Sequence, residues 1–91
     1  MIAKRVIFTG RVQNVGFRYT VKDLARAFDV CGWVKNLPDG TVELQATGEP
    51  GEVNSFIREI AEESNVAHHI KSFMAETIPL LDHTPGFRIV G

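Results

Sequence analysis

The spacing of apolar residues changes period at definable points along the chain, and each change marks an element. Residues 3–9 (Ala-Lys-Arg-Val-Ile-Phe-Thr) are dense in β-branched and aromatic side chains and stop at Gly10, which predicts a strand. Residues 10–16 hold two glycines and no helical period, so they read as a loop. Phe17, Val21, Leu24 and Phe28 then recur at i, i+4, i+7 and i+11, one face of a helix, with Lys22, Asp23 and Arg26 on the other. Residues 31–35 predict a second strand, and Asn36-Leu37-Pro38-Asp39-Gly40 is a dense turn signal. Over residues 41–47, Val42, Leu44 and Ala46 face one way and Thr41, Glu43 and Gln45 the other. Residues 31–47 therefore predict a β-hairpin.

A second helix opens at Glu49-Pro50-Gly51-Glu52, where proline and acids suit a first turn. Val53, Phe56, Ile57 and Ile60 give its apolar face. Residues 68–78 predict a strand, residues 79–86 a loop with Leu80 and Leu81 packed on the core, and residues 87–90 a short last strand. The order β-α-β-β-α-β-β predicts an α+β, ferredoxin-like split β-α-β sandwich. The expected sheet is antiparallel, with four or five strands and both helices on one face.

Composition narrows the function. A chain of 91 residues supplies one core, so residues 1–91 read as a single domain. Ten basic against eleven acidic residues give a net charge of −1, which argues against a broad nucleic-acid surface, and there is no RNP1-type aromatic motif. The one cysteine, Cys31, excludes a disulfide scaffold and reads as an inert thiol. No apolar run approaches the ~20 residues that span a bilayer, so no membrane association and a cytoplasmic location are expected. His68 and His69 point to opposite faces if they lie in a strand, and His83 is distant, so no metal site or cofactor is expected. Trp33 reads as core, Tyr19 as a rim residue, and Glu59, Glu62 and Glu63 as a solvated helix face.

The informative segment is Gly10-Arg11-Val12-Gln13-Asn14-Val15-Gly16-Phe17-Arg18, between the first strand and the first helix. Glycine-containing loops that lead into a helix hold anions through successive N–H groups and the helix dipole. Neither G-x-G-x-x-G nor a Walker A motif is present, so nucleotide binding is not supported. Arg18 falls in the first helical turn, where a cation opposes the dipole at a cost of roughly 0.3–1 kcal/mol. A bound oxyanion reverses that sign, since a guanidinium forks onto two oxygens. From spacing alone Arg18 reads either as such a clamp or as a solvent-facing arginine, and Asn36 either as a functional amide or as a turn residue.

The stretch resembles the signature of the acylphosphatase family, Gly-x-Val-Gln-Gly-Val-x-Phe-Arg. A second stretch, Gly32-Trp33-Val34-Lys35-Asn36-Leu37-Pro38-Asp39-Gly40-Thr41-Val42-Glu43, resembles the family's Gly-Trp-Val-Arg/Lys-Asn-x-x-Asp-Gly-x-Val-Glu. The resemblance spans the chain and is weaker after residue 63, apart from Gly86-Phe87-x-Ile89. It implies hydrolysis of an acyl phosphate, a small molecule, to a carboxylate and inorganic phosphate, without a metal; a monomer is the simplest expectation for so short a chain. It implies Arg18 as the phosphate-binding arginine and Asn36 as the water-orienting residue. It makes Arg11, Val12, Gln13, Asn14, Val15, Gly16 and Phe17 the phosphate loop, with inorganic phosphate or sulfate as product-like ligands. Asn14 stands where the family has glycine; asparagine is the side chain that best tolerates a left-handed backbone. A non-catalytic anion-binding or regulatory domain on the same fold is the alternative.

Overall fold

The computed structural model describes residues 1–80 and 85–91. Strand β1 (Ile2–Gly10) leads through the loop into helix α1 (Phe17–Ala25), followed by strands β2 (Val30–Asn36) and β3 (Val42–Gly48). Helix α2 (Pro50–Arg58) continues as a π-helical turn (Glu59–Glu63) and a 3₁₀ turn (Ala67–His69), before strands β4 (Ile70–Ile78) and β5 (Phe87–Ile89). The sheet order is β4-β1-β3-β2-β5.

Period-two alternation sorts the strands into two faces. On one face Val6 pairs with Leu44, Phe8 with Val42 and Val34 with Leu44. These residues are fully buried and meet Phe17 and Val21 of α1 and Val53 and Phe56 of α2. Phe8 packs on Phe17 with ring centroids 5.2 Å apart, and Phe56 sits between Phe28 and Phe87 at 5.7 and 5.5 Å. Burial of each such side chain contributes about 1.5–3 kcal/mol. The opposite face carries no helix. There Arg5 bridges two neighbouring strands, donating from Nε to Glu43 at 2.8 Å and from Nη1 to Glu76 at 3.1 Å. Those two hydrogen bonds raise the pKa of the guanidinium above its ordinary value.

Several expectations need correction. The sheet is mixed: β1, β2, β3 and β4 pair antiparallel, but β5 runs parallel to β2. Helix α1 stops at Ala25, short of Phe28, because its last turn tightens into i→i+3 bonds, Arg26 N to Asp23 O and Phe28 N to Ala25 O, both 3.2 Å. Phe28 still reaches the core, from a turn. His68 and His69 lie in the 3₁₀ turn, which brings their rings to 4.0 Å centroid separation instead of onto opposite faces. Trp33 lies on the helix-free face, opposite Gln45 and Arg88, and is only partly buried. Leu80 is 55% exposed, not packed on the core, and its neighbour Leu81, like His83, falls outside the described residues.

Phe56→Ala is expected to lower the free energy of unfolding by about 3–5 kcal/mol, read from urea denaturation. Met74→Ala, at a site 78% exposed, should stay within about 0.5 kcal/mol of wild type.

Candidate active site

The loop is pinned where it leaves β1. Gly10 has φ 133°, and a Cβ there would collide with the His69 carbonyl oxygen, so only glycine lets β4 begin so close. Arg11 N donates to that same oxygen at 3.0 Å. Val12 turns inward and is 1% exposed. Asn14 adopts φ 63° and is, among the described residues, the one non-glycine residue in the left-handed region. The backbone at this position is left-handed, and asparagine fits it. Gly16 follows at φ 78° and ψ 15° as the N-cap of α1.

That N-cap has no side chain to receive the first N–H groups of the helix, and the first turn contains no acid. Arg18 lies in this turn, so guanidinium and uncapped dipole concentrate positive potential at one point. Asn36 ends β2 opposite Val42, which itself pairs with Phe8. Phe8, Val42 and Asn36 form one row across the sheet, and Phe17 stacks on Phe8. The row thereby fixes the start of α1 over the end of β2. A cavity of about 190 Å³ opens there, lined by Val12, Asn14, Gly16, Phe17, Arg18, Tyr19 and Asn36. The Asn36 Oδ1 atom is buried without a hydrogen-bond partner among the described residues, a state that ordinarily costs about 1–3 kcal/mol.

The cavity therefore gathers Arg18, Asn36 and four of the seven loop residues. Arg11, Gln13 and Val15 are outside it. Arg11 is exposed near His69, whose pKa is lowered by desolvation first and then by His68 and Arg11. Val15 packs against the core. The Gln13 side chain turns away and donates to Leu37 O and Thr41 O in the β2–β3 turn. In that turn Asp39 Oδ1 accepts from Thr41 Oγ1 at 2.6 Å and Thr41 N at 3.0 Å. The hydroxyl bond, then the backbone bond, holds the Asp39 carboxyl below its ordinary pKa. Tyr19 was legible as a rim residue from its place beside Arg18, and it is 74% exposed at the cavity mouth. Among the described residues no three His, Cys, Asp or Glu converge as a metal cluster, and no helix is long and apolar enough to cross a membrane.

The fold is a two-layer α+β sandwich with a small cavity between the loop after its first strand and the end of its second. Comparison with known proteins narrows the class. The acylphosphatase family model matches residues 4–89. An acylphosphatase of Bacillus pumilus is 40% identical over 100% of both chains, and one of Clostridium acetobutylicum is 41% identical over 89% of this chain and 88% of its own. The crystal structure of acylphosphatase from Bacillus subtilis superimposes with a TM-score of 0.87 at 34% identity, covering 100% of each chain. The chain belongs to the acylphosphatase family and is an enzyme that hydrolyses acyl phosphates. The alternative of a non-catalytic anion-binding domain is not favoured by these matches.

Two outcomes follow from the local geometry. Asn14→Gly should leave thermal stability within about 1 kcal/mol, whereas Asn14→Val, forced to the same positive φ, should cost about 1–2 kcal/mol. For Asp39, a lowered carboxyl pKa means the turn's stabilisation is fully present above the unfolded value of about 3.9 and is lost as pH falls through the folded value. An NMR titration of the Asp39 carboxyl should give a midpoint below that of free aspartate, and Thr41→Val should move it back up.

Proposed function

We propose that Arg18 and amides of residues 12–17 clamp the phosphoryl group of a small acyl phosphate while Asn36 orients the attacking water; the Arg11 amide, expected in the same loop, is engaged by the His69 carbonyl instead. The carrying observation is that one cavity is lined by Arg18, the loop and Asn36, residues 18 positions apart at the two side chains. The uncapped N-terminus of α1 adds N–H donors and dipole to the same point. The Asn36 Oδ1 atom, without a hydrogen-bond partner among the described residues, supports a role toward a small polar ligand. A half-turn about its last torsion exchanges donor and acceptor toward the cavity.

The chemistry suits so sparse a set. Water oxygen attacks phosphorus, the bond from phosphorus to the acyl oxygen breaks, and a carboxylate leaves with the bonding pair. Its conjugate acid has a pKa of about 4–5, so the leaving group needs neither a general acid nor a metal ion. The transition state is loose, and its charge spreads over oxygens that a guanidinium and amides can hold. The water's proton passes to a phosphate oxygen, because an amide is no base. Inorganic phosphate, the product, and sulfate fit the same clamp. We take the enzyme to act as one domain and as a monomer, the simplest arrangement for a chain of 91 residues. It takes the cytoplasm as its location, in keeping with a single free thiol, Cys31.

Hydrolysis of benzoyl phosphate in the presence of a chelator tests this. Arg18→Ala should abolish phosphate binding and turnover together. Asn36→Ala should lower kcat by roughly 10²–10³-fold and leave the phosphate Kd within about threefold. p-Nitrophenyl phosphate, whose poorer leaving group lacks protonation here, should turn over at least about 100-fold more slowly. Wild-type rates in both variants would sink the assignment.

A further inference from the structure

The clamp and the water-orienting amide sit on separate segments. Arg18 follows the loop, and Asn36 sits at the base of the β2–β3 turn. Catalysis by alignment needs their separation held to a fraction of an ångström. Gln13 Nε2 donates to Leu37 O at 2.8 Å and to Thr41 O at 2.9 Å, so both hydrogens of one amide group are engaged. Those two carbonyls flank the turn. Leu37 adjoins Asn36 in the chain, and Leu37 N also donates to Thr41 O, at 2.9 Å. Gly40 N closes the turn on Leu37 O at 3.1 Å, and Asp39 caps Thr41. The turn is thus a braced unit, and Gln13 is a side chain that fastens the loop to it. With both donors engaged there, and outside the cavity lining, this side chain is not a phosphate ligand.

We infer that Gln13 is a positioning residue: it sets the Arg18 clamp and the Asn36 carboxamide at their working separation by tying the loop to the two carbonyls of the β2–β3 turn. The inference rests on the reading of Asn36 as the residue that orients water. Only a side chain of this length with two amide hydrogens serves both oxygens. Leucine offers no donor, and ionised glutamate sets an acceptor against two acceptors.

The test is a double-mutant cycle between Gln13 and Asn36, read with benzoyl phosphate and with inorganic phosphate as the binding probe. Gln13→Leu is expected to lower kcat roughly 10–100-fold while the phosphate Kd stays within about threefold. In an Asn36→Ala background the same substitution should lower kcat less than about twofold, because the group it positions is gone. Gln13→Glu should behave as Gln13→Leu. Equal losses of kcat in both backgrounds overturn the inference, and so does a rise in phosphate Kd that matches the loss of turnover. Failure of both Gln13 variants to fold, by circular dichroism, overturns it too, since the bonds would then serve the fold. If Asn36→Ala itself leaves kcat unchanged, the water-orienting reading falls and takes this inference with it. If Asn36→Ala lowers kcat and Gln13→Leu does not, only this inference falls.

Discussion

Positive charge is gathered at the first turn of α1 and left without an acidic partner there. A helix start ordinarily carries Asp, Glu, Ser or Thr, which receive its free N–H groups. This one has Gly16 at the cap, no acid in the turn and Arg18 within it. Each departure is slightly unfavourable by itself and would become favourable with the oxyanion of the proposed clamp in place. The rest of the molecule holds that arrangement still. Val12, on the loop, and Phe17, beside Arg18, are both 1% exposed, so the segment carrying the charge is anchored on either side by core residues.

The sheet gives this anchoring its direction. Because Phe8, Val42 and Asn36 occupy one row, the same register that buries Phe8 under Phe17 brings the end of β2 to the start of α1. A one-residue slip of β2 against β3 would turn Asn36 to the helix-free face. The buried Val30 and Val34 of β2 make that slip costly, since both would leave the core. Packing energy in the core is in this way converted into position at the site. The same logic separates the two faces of the sheet. The helix face fixes geometry, while the Arg5, Glu43 and Glu76 network ties strands together on the other, away from the chemistry.

Much of this was legible in the sequence because it rests on local signals. The hairpin alternation of Val42, Leu44 and Ala46, the proline start of α2 and the glycine-bounded loop are short-range patterns, and all three appear in the structure. Arg18 stood out because its charge contradicts the dipole rule, and Asn36 only because a second motif accompanied it. What escaped was set by tertiary context. The parallel pairing of β5 depends on which edge is vacant. The early end of α1 leaves Phe28 in the helical period while placing it in a turn, beside Phe56. Trp33 is apolar and on a strand, but period two alone does not say which face the helices cover. The Gln13 side chain was read as part of a loop, since no pattern in the sequence reports hydrogen bonds spanning 24 and 28 residues.

Asn14 shows how the same backbone demand can be met without the family's usual residue. The loop turns left-handed there and again at Gly16. Glycine meets the demand with no side chain; asparagine meets it at small strain and brings an amide to the cavity wall. Because the substrate leaves as a carboxylate, the reaction asks the protein for charge and alignment but no proton donor. A loop that keeps this backbone path therefore keeps what the proposed clamp asks of it. That tolerance follows from the chemistry of the leaving group, and under the proposed mechanism it lets so small a protein, asked only for one clamp and one aligned water, serve the whole reaction.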